Sequence, residues 1–288
     1  GGLAGDALTT GEYNIALGSR ALSADTTGSQ NVAIGAYSLT TQNFTSATDS
    51  HNVAVGTNTG RYITTGIQNT LIGGLAGDAI TDADYNVALG YSSLTTNQLG
   101  SKSTAIGTFS LNNQNPASAT DMFNTAVGYA AGGVITTGRY NTIMGGLSGD
   151  ALTEGSQNIA IGYAALTSDT KGSKSIAIGE SALFAQNFTT ATDTYNVAVG
   201  ENAGMAVTTG VQNTFVGGLA GDGTDDGADN TAFGYAALSA NCGSYNTATG
   251  ARALAAATGT SNTAIGVDAL PGSVTGSNNT ALGGNAGI

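Results

Sequence analysis

A pentad, Asn-x-Ala-aliphatic-Gly, recurs sixteen times in this chain of 288 residues, from Asn14-Ile15-Ala16-Leu17-Gly18 to Asn279-Thr280-Ala281-Leu282-Gly283. Copies begin at 14, 31, 52, 69, 86, 103, 124, 141, 158, 175, 196, 213, 230, 246, 262 and 279. Successive starts differ mostly by 17, and the three steps of 21, which open at 31, 103 and 175, recur at an interval of 72. So short and regular a period folds as a solenoid, in which each repeat closes one coil against its neighbours. A helical-hairpin repeat needs about 33 residues. The shorter unit suits one coil of a parallel β-solenoid with two short strands and two turns. The expectation is an all-β chain, a single domain over 1–288 of sixteen coils, each one pentad step long.

A slower rhythm lies over the pentad. Steps of 17, 17, 17 and 21 define blocks 14–85, 86–157 and 158–229, after which 230–288 is more uniform. Each block carries a Gly-Gly-Leu-(Ala/Ser)-Gly-Asp hexad, at Gly73–Asp78, Gly145–Asp150 and Gly217–Asp222, with a further copy at Gly1–Asp6. With 45 Gly but only 2 Pro, collagen and Pro-rich linkers are excluded. Regular aliphatic positions and 9% charged residues argue against disorder.

Strand residues alternate sides, so x and the aliphatic position share one face while Asn, Ala and Gly share the other. The aliphatic position, polar only at Thr249, reads as the core stripe. The x position holds only Val, Ile or Thr, which favour strands. The Ala position gives way to Leu71, Ile143 and Phe215, once per block. Both faces therefore look buried, one inside the coil and the other against a neighbouring chain. Asn14, Asn31, Asn52, Asn69, Asn86, Asn124, Asn141, Asn158, Asn196, Asn213, Asn230, Asn246, Asn262 and Asn279 are expected to form a structural ladder of stacked amides. The invariant Gly fits a corner with positive φ or a close backbone approach. A second strand is expected at Ala21-Leu22, Ser93-Leu94, Ala165-Leu166, Ala237-Leu238, Ala253-Leu254 and Ala269-Leu270.

No catalytic constellation emerges, and the chain reads as non-enzymatic with no cofactor and no metal site. His51 is the only His, its block equivalents are Phe123 and Tyr195, and Cys242 is alone. Asp6, Asp78, Asp150 and Asp222 would lie about 19 Å apart, at ~4.8 Å per coil, too far to share an ion within one chain. The net charge is −12 and the seven basic residues are scattered, which argues against nucleic acid. No apolar run approaches the length of a membrane span. Both ends cut the repeat, which is expected of the ordered part of a longer chain or of a unit that stacks end to end.

The long turns are the candidate exposed contacts: Asn43, Phe44 and Thr45; Asn115 and Pro116; Asn187, Phe188 and Thr189. Insertions in solenoids map to loops on one side. A Phe beside polar groups could touch glycan; the bland reading is a loop that locks onto an adjacent chain. An ice-binding solenoid is a further class, but its flat Thr array is not matched by turns as varied as Thr96-Asn97-Gln98-Leu99.

The pentads Asn31–Gly35 and Asn262–Gly266 resemble the head repeat of YadA-like trimeric autotransporter adhesins. That resemblance implies a left-handed β-roll, three chains about one axis, and surface adhesion. The longer block looks like repeats in tail-fibre or other virion structural proteins of phages infecting marine cyanobacteria. It implies a fibre displayed on the particle. The expectation is a homotrimeric phage tail-fibre shaft or virion appendage, partnered by itself and by a host cell-surface glycan or protein. The alternative is a bacterial surface adhesin or extracellular filament.

Overall fold

In the computed structural model, residues 1–287 are described; they form strands and turns and no helix. The chain clusters into two compact units, Gly1–Tyr140 and Asn141–Ile288, and the division falls between two coils. In the first unit the pentad strands are Ile15–Leu17, Val32–Ile34, Val53–Val55, Thr70–Ile72, Val87–Leu89, Thr104–Ile106 and Thr125–Val127. Each pairs in parallel with the next, pentad position against pentad position. The second unit repeats this with Thr142–Met144, Ile159–Ile161, Ile176–Ile178, Val197–Val199, Thr214–Val216, Thr231–Phe233, Thr247–Thr249, Thr263–Ile265 and Thr280–Leu282. Both units are parallel β-solenoids.

The interior is the opposite face from the one hydrophobicity suggests. The Ala position is fully buried from Ala33 to Ala264, together with Leu71, Ile143 and Phe215. The aliphatic position is nowhere buried: Leu17, Leu89, Met144 and Phe233 are 45–60% exposed. The expected core stripe is therefore an outer stripe. The reason is room, since buried turn residues such as Leu22, Leu39 and Ile63 already fill the thin coil and leave space for little more than Ala on the strand.

The corner Gly has φ between 121° and 140° in all sixteen pentads. A Cβ there would also strike the next coil, as at Gly162, where it would lie 2.4 Å from the Gly179 carbonyl oxygen. The expected second strand is absent. Ala21-Leu22 and its equivalents form a turn, with Leu22, Leu94, Leu166, Leu238, Leu254 and Leu270 at φ 47–57°. This left-handed step turns the amide along the solenoid, so that the Leu22 N–H donates to the Ser38 carbonyl at 2.9 Å. Among the described residues, short extra strands occur only at the long turns, where Gly28–Ser29 pairs Thr48–Asp49, Gly100–Ser101 pairs Thr120–Asp121, and Gly172–Ser173 pairs Thr192–Asp193.

Packing inside the coil explains the hexad. Within the blocks, where the strand carries Ala, the turn carries a buried Leu, as with Ala88 and Leu94, except in the coil just before a bulky strand residue, where Ala54, Ala126 and Ala198 are matched by Gly60, Gly132 and Gly204. Where the strand carries bulk, the turn carries Gly at φ near 55–61°, as with Leu71 and Gly77, and Phe215 and Gly221. A Cβ on Gly221 would sit 2.6 Å from the Phe215 ring. The Gly-Asp step thus makes space for a large neighbour. A third interior position, eleven places after the pentad Asn, alternates in pairs: Asp25 and Gln42, Ile63 and Ile80, Asn97 and Gln114 in the first unit; Asp169 and Gln186, Val207 and Thr224 in the second.

Candidate functional site

The Asn ladder lies inside the coil and is almost wholly buried. Its bonding is mainly side chain to backbone rather than amide to amide. Asn52 Oδ1 accepts from the Asn69 N–H at 2.9 Å, and Asn52 Nδ2 donates to the Gly66 carbonyl at 2.8 Å. The same pair of bonds recurs at Asn86 and Asn158. Each amide thereby satisfies one strand N–H of the following coil and one carbonyl of the turn that leads into it, which buried groups require. Asn230 Nδ2 is left without a partner, whereas Asn246, which opens an equally short step, donates to the Gly259 carbonyl at 3.0 Å. These residues bond coil to coil inside the chain.

The long turns divide. Asn43, Thr45, Asn115, Asn187 and Thr189 are exposed, whereas Phe44, Pro116 and Phe188 are buried. Phe44 is 6% and Phe188 8% exposed within their own chain, which corrects the expectation of an exposed aromatic contact. The cause is a buried carboxylate in the preceding coil. Asp169 Oδ1 accepts from the Gly172 and Phe188 amides at 3.0 and 3.1 Å, and Oδ2 accepts from Gln186 Nε2 at 2.6 Å. Asp25 does the same for Gly28, Gln42 and Phe44. Gln186 Oε1 in turn accepts from Asn196 Nδ2 at 2.8 Å, which ties the loop root to the ladder. The signal was present in the sequence as Asp25, Asn97 and Asp169, each one block from the next. Of the exposed turn residues, the Asn43, Asn115 and Asn187 side-chain oxygens accept from Thr26, Gln98 and Thr170 of the preceding coil.

The strongest surface feature is the outer sheet face. In each unit it presents two rows, x and aliphatic, on a parallel sheet whose other side is already packed; the aliphatic row is broken only at Thr249, and the x row mixes Val and Ile with Thr. Isolated exposed apolar residues are ordinary; continuous rows of them mark a contact surface. Aromatic side chains border the rows. Tyr91, Phe109 and Tyr129 meet edge to face at 5.8 and 6.1 Å, and Arg61 lies 5.4 Å from the centre of the Tyr37 ring.

The hexad aspartates follow no common pattern. Burial raises the Asp78 carboxyl above its usual range, and the Arg61 charge opposes this. Burial likewise raises Asp222, whose Oδ1 has no partner. Asp150 accepts from Thr167. Among the described residues, no three His, Cys, Asp or Glu side chains are grouped to hold a metal ion. Cys242 is 2% exposed and its thiol is pushed up by burial, which opposes thiolate chemistry. No helix among the described residues is long and apolar enough to cross a membrane. Comparison with family models, with characterised proteins and with solved structures finds no match.

Proposed function

We propose that the chain is the structural, non-enzymatic shaft of a homotrimeric fibre, with outer sheet faces from three copies packed around one axis. The observation that supports this is the outer face itself: a solenoid whose larger aliphatic residues point away from its own interior has an apolar surface that self-association would remove from water. The left-handed coil and the threefold come with the resemblance of the pentad to trimeric adhesin head repeats. The longer block favours a phage tail fibre or virion appendage supporting host attachment. The pentad alone favours the alternative, a bacterial surface adhesin or extracellular filament.

Light scattering on the purified chain tests the assembly. Three chain masses are expected, and Ile178→Asp, on the outer face of the second unit, should dissociate the particle. A wild-type monomer, or an Ile178→Asp protein of unchanged mass, defeats the reading. Antibody labelling then separates the settings: particle appendages for the phage fibre, cell surface for the adhesin.

A further inference from the structure

A groove of about 670 Å3 opens in the first unit beside the middle long turn. Asp82, Asp84, Asp121, Phe123, Arg139 and Tyr140 line it. The rings of Phe123 and Tyr140 stack coil on coil, 5.6 Å apart and within 11° of parallel, and are about half exposed at their rims. Lys102 lies 5.3 Å from the Phe123 ring centre and 2.6 Å from the Asp121 carboxylate. Arg139 lies 5.5 Å from the Tyr140 ring centre. Asp84 Oδ1 accepts from the Ile67 N–H at 2.8 Å, and Asp82 Oδ1 accepts from Thr65 Oγ1 at 2.5 Å. The Asp84 carboxyl is raised, chiefly by burial, with Asp82 and Asp121 adding repulsion and Lys102 opposing it.

The coil does not need these groups. At the matching positions one block before and one block after, Arg139-Tyr140 is replaced by Ile67-Gln68 and Val211-Gln212. Asp84 is replaced by Glu12 and Ser156, and Asp82 by Thr10 and Glu154. The same turn is built each time, so the combination of Asp82, Asp84, Arg139 and Tyr140 belongs to this one place in the chain, beside a Lys102, Asp121 and Phe123 cluster that recurs one block later as Lys174, Asp193 and Tyr195.

We infer that this groove binds an uncharged pyranose glycan. Carboxylate oxygens accept from sugar hydroxyls, while the guanidinium and the phenol donate to them. The aromatic rims offer apolar contact to the C–H faces of the ring. The volume falls inside the ~300–1,000 Å3 of small-ligand sites. Three carboxylates against Lys102 and Arg139 leave a negative balance that repels an anionic sugar. A cationic ligand finds the ring faces covered by Lys102, by Arg139 and by each other, and the Asp82, Asp84 and Asp121 carboxylates already engaged by Thr65, the Ile67 N–H and Lys102. The inference deepens the attachment reading and rests on it for the source of the glycan, not for binding itself.

The test is calorimetric titration of the full chain with maltotriose, mannotriose and lactose, with 3′-sialyllactose and spermidine as charged controls. At least one neutral sugar should bind saturably, and neither control should. Arg139→Ile with Tyr140→Gln, the pair already carried at 67 and 68, should weaken binding by about tenfold or more. Asp84→Asn, of the same shape, should weaken it too. Unchanged circular dichroism and particle mass would show that both variants fold. The inference is overturned if no neutral sugar binds at millimolar concentration, if both variants bind like wild type, or if spermidine competes. A trimer that binds no neutral sugar removes the groove and leaves the shaft; a monomer that binds one does the reverse.

Discussion

Phe215 and Gly221 are expected to be energetically inseparable. Phe215 is fully buried, and its ring lies 2.6 Å from where a Cβ on Gly221 would stand. Removing the ring by Phe215→Ala should cost about 3–5 kcal/mol. Gly221→Leu in the native background should cost about 1–3 kcal/mol through overpacking. Its backbone is not the obstacle, because Leu238 sits at φ 57° in the matching position one coil later, and Gly221 is at φ 61°. In the Phe215→Ala background the new Leu refills the space, recreating the pairing of Ala232 with Leu238 and of Ala248 with Leu254. Gly221→Leu should therefore change sign, from destabilising to stabilising, with a coupling of about 2–3 kcal/mol. Recovery stays incomplete, since Phe215 also fills the space over Gly204, where a Cβ would lie 2.9 Å from the ring. Urea denaturation of the four proteins measures the cycle. Amide exchange at Gly221, whose N–H donates to the Ala237 carbonyl at 2.9 Å, localises it to this coil. If Gly221→Leu destabilises equally in both backgrounds, the reciprocal filling of strand and turn is wrong.

Other perturbations probe other layers of the coil. Gly162→Ala places a Cβ 2.4 Å from the next coil, whereas Gly283→Ala meets open space at a similar φ; the first should lower the melting temperature well beyond the second, which carries only a strain of about 1–3 kcal/mol, and equal losses would mean that contact contributes nothing. Asp169→Ala strands two amides and removes one of the two acceptors of Gln186 Nε2, the other being Ser175 Oγ, so it should destabilise by about 3 kcal/mol and open 187–193 to protease. Asp169→Asn should be milder, because Asn97 serves in the middle block by bonding both the N–H and the carbonyl of Gly100. Asp78, Asp84 and Asp222 all have carboxyls raised by burial. A raised carboxyl binds its proton more tightly when folded, so its contribution is full below the unfolded value and is lost as pH rises through the folded one. Melting temperature should climb as pH falls from neutral into the carboxylate range. Asp222→Asn should be more stable at neutral pH and show a shallower rise; a melting temperature that falls on mild acidification contradicts this.

The period, the coil and the Gly corners were legible in the pentad because each demands a residue type that few conformations share. The direction of the sheet was not. Hydrophobicity points to Leu17, Ile34 and Val55 as the core, yet Leu22, Leu39 and Ile63 from the turns already fill the interior, and the strand contributes only Ala33 and Ala54 until Gly60 and Gly77 make room for Leu71. Size, and not apolar character, decides which face turns in. The turns at Leu22 and Leu94 were missed because a left-handed Leu contradicts local preference, which a neighbouring coil overrides through one hydrogen bond each. Phe44 and Phe188 sit in polar loops, and nothing within those loops announces the carboxylate of Asp25 or Asp169 that draws their backbone inward. The groove was invisible because Asp82, Asp121 and Tyr140 lie on three different coils.

Those left-handed residues make the coil unable to stand alone. The coil from Asn86 carries Ser92, Leu94 and Lys102 at φ 50–61°. Each such residue costs of order 1–3 kcal/mol, and each directs its N–H to a carbonyl of an adjacent coil: Ser92 to Gly74, Leu94 to Ser110, Lys102 to Asp84. The compensation for a coil's strain thus lives in its neighbours. Growth then resembles crystallisation more than helix winding, with the first coils forming against a gradient and every later one laid down on a finished edge. A chain of this kind gains order by copying what is beneath it.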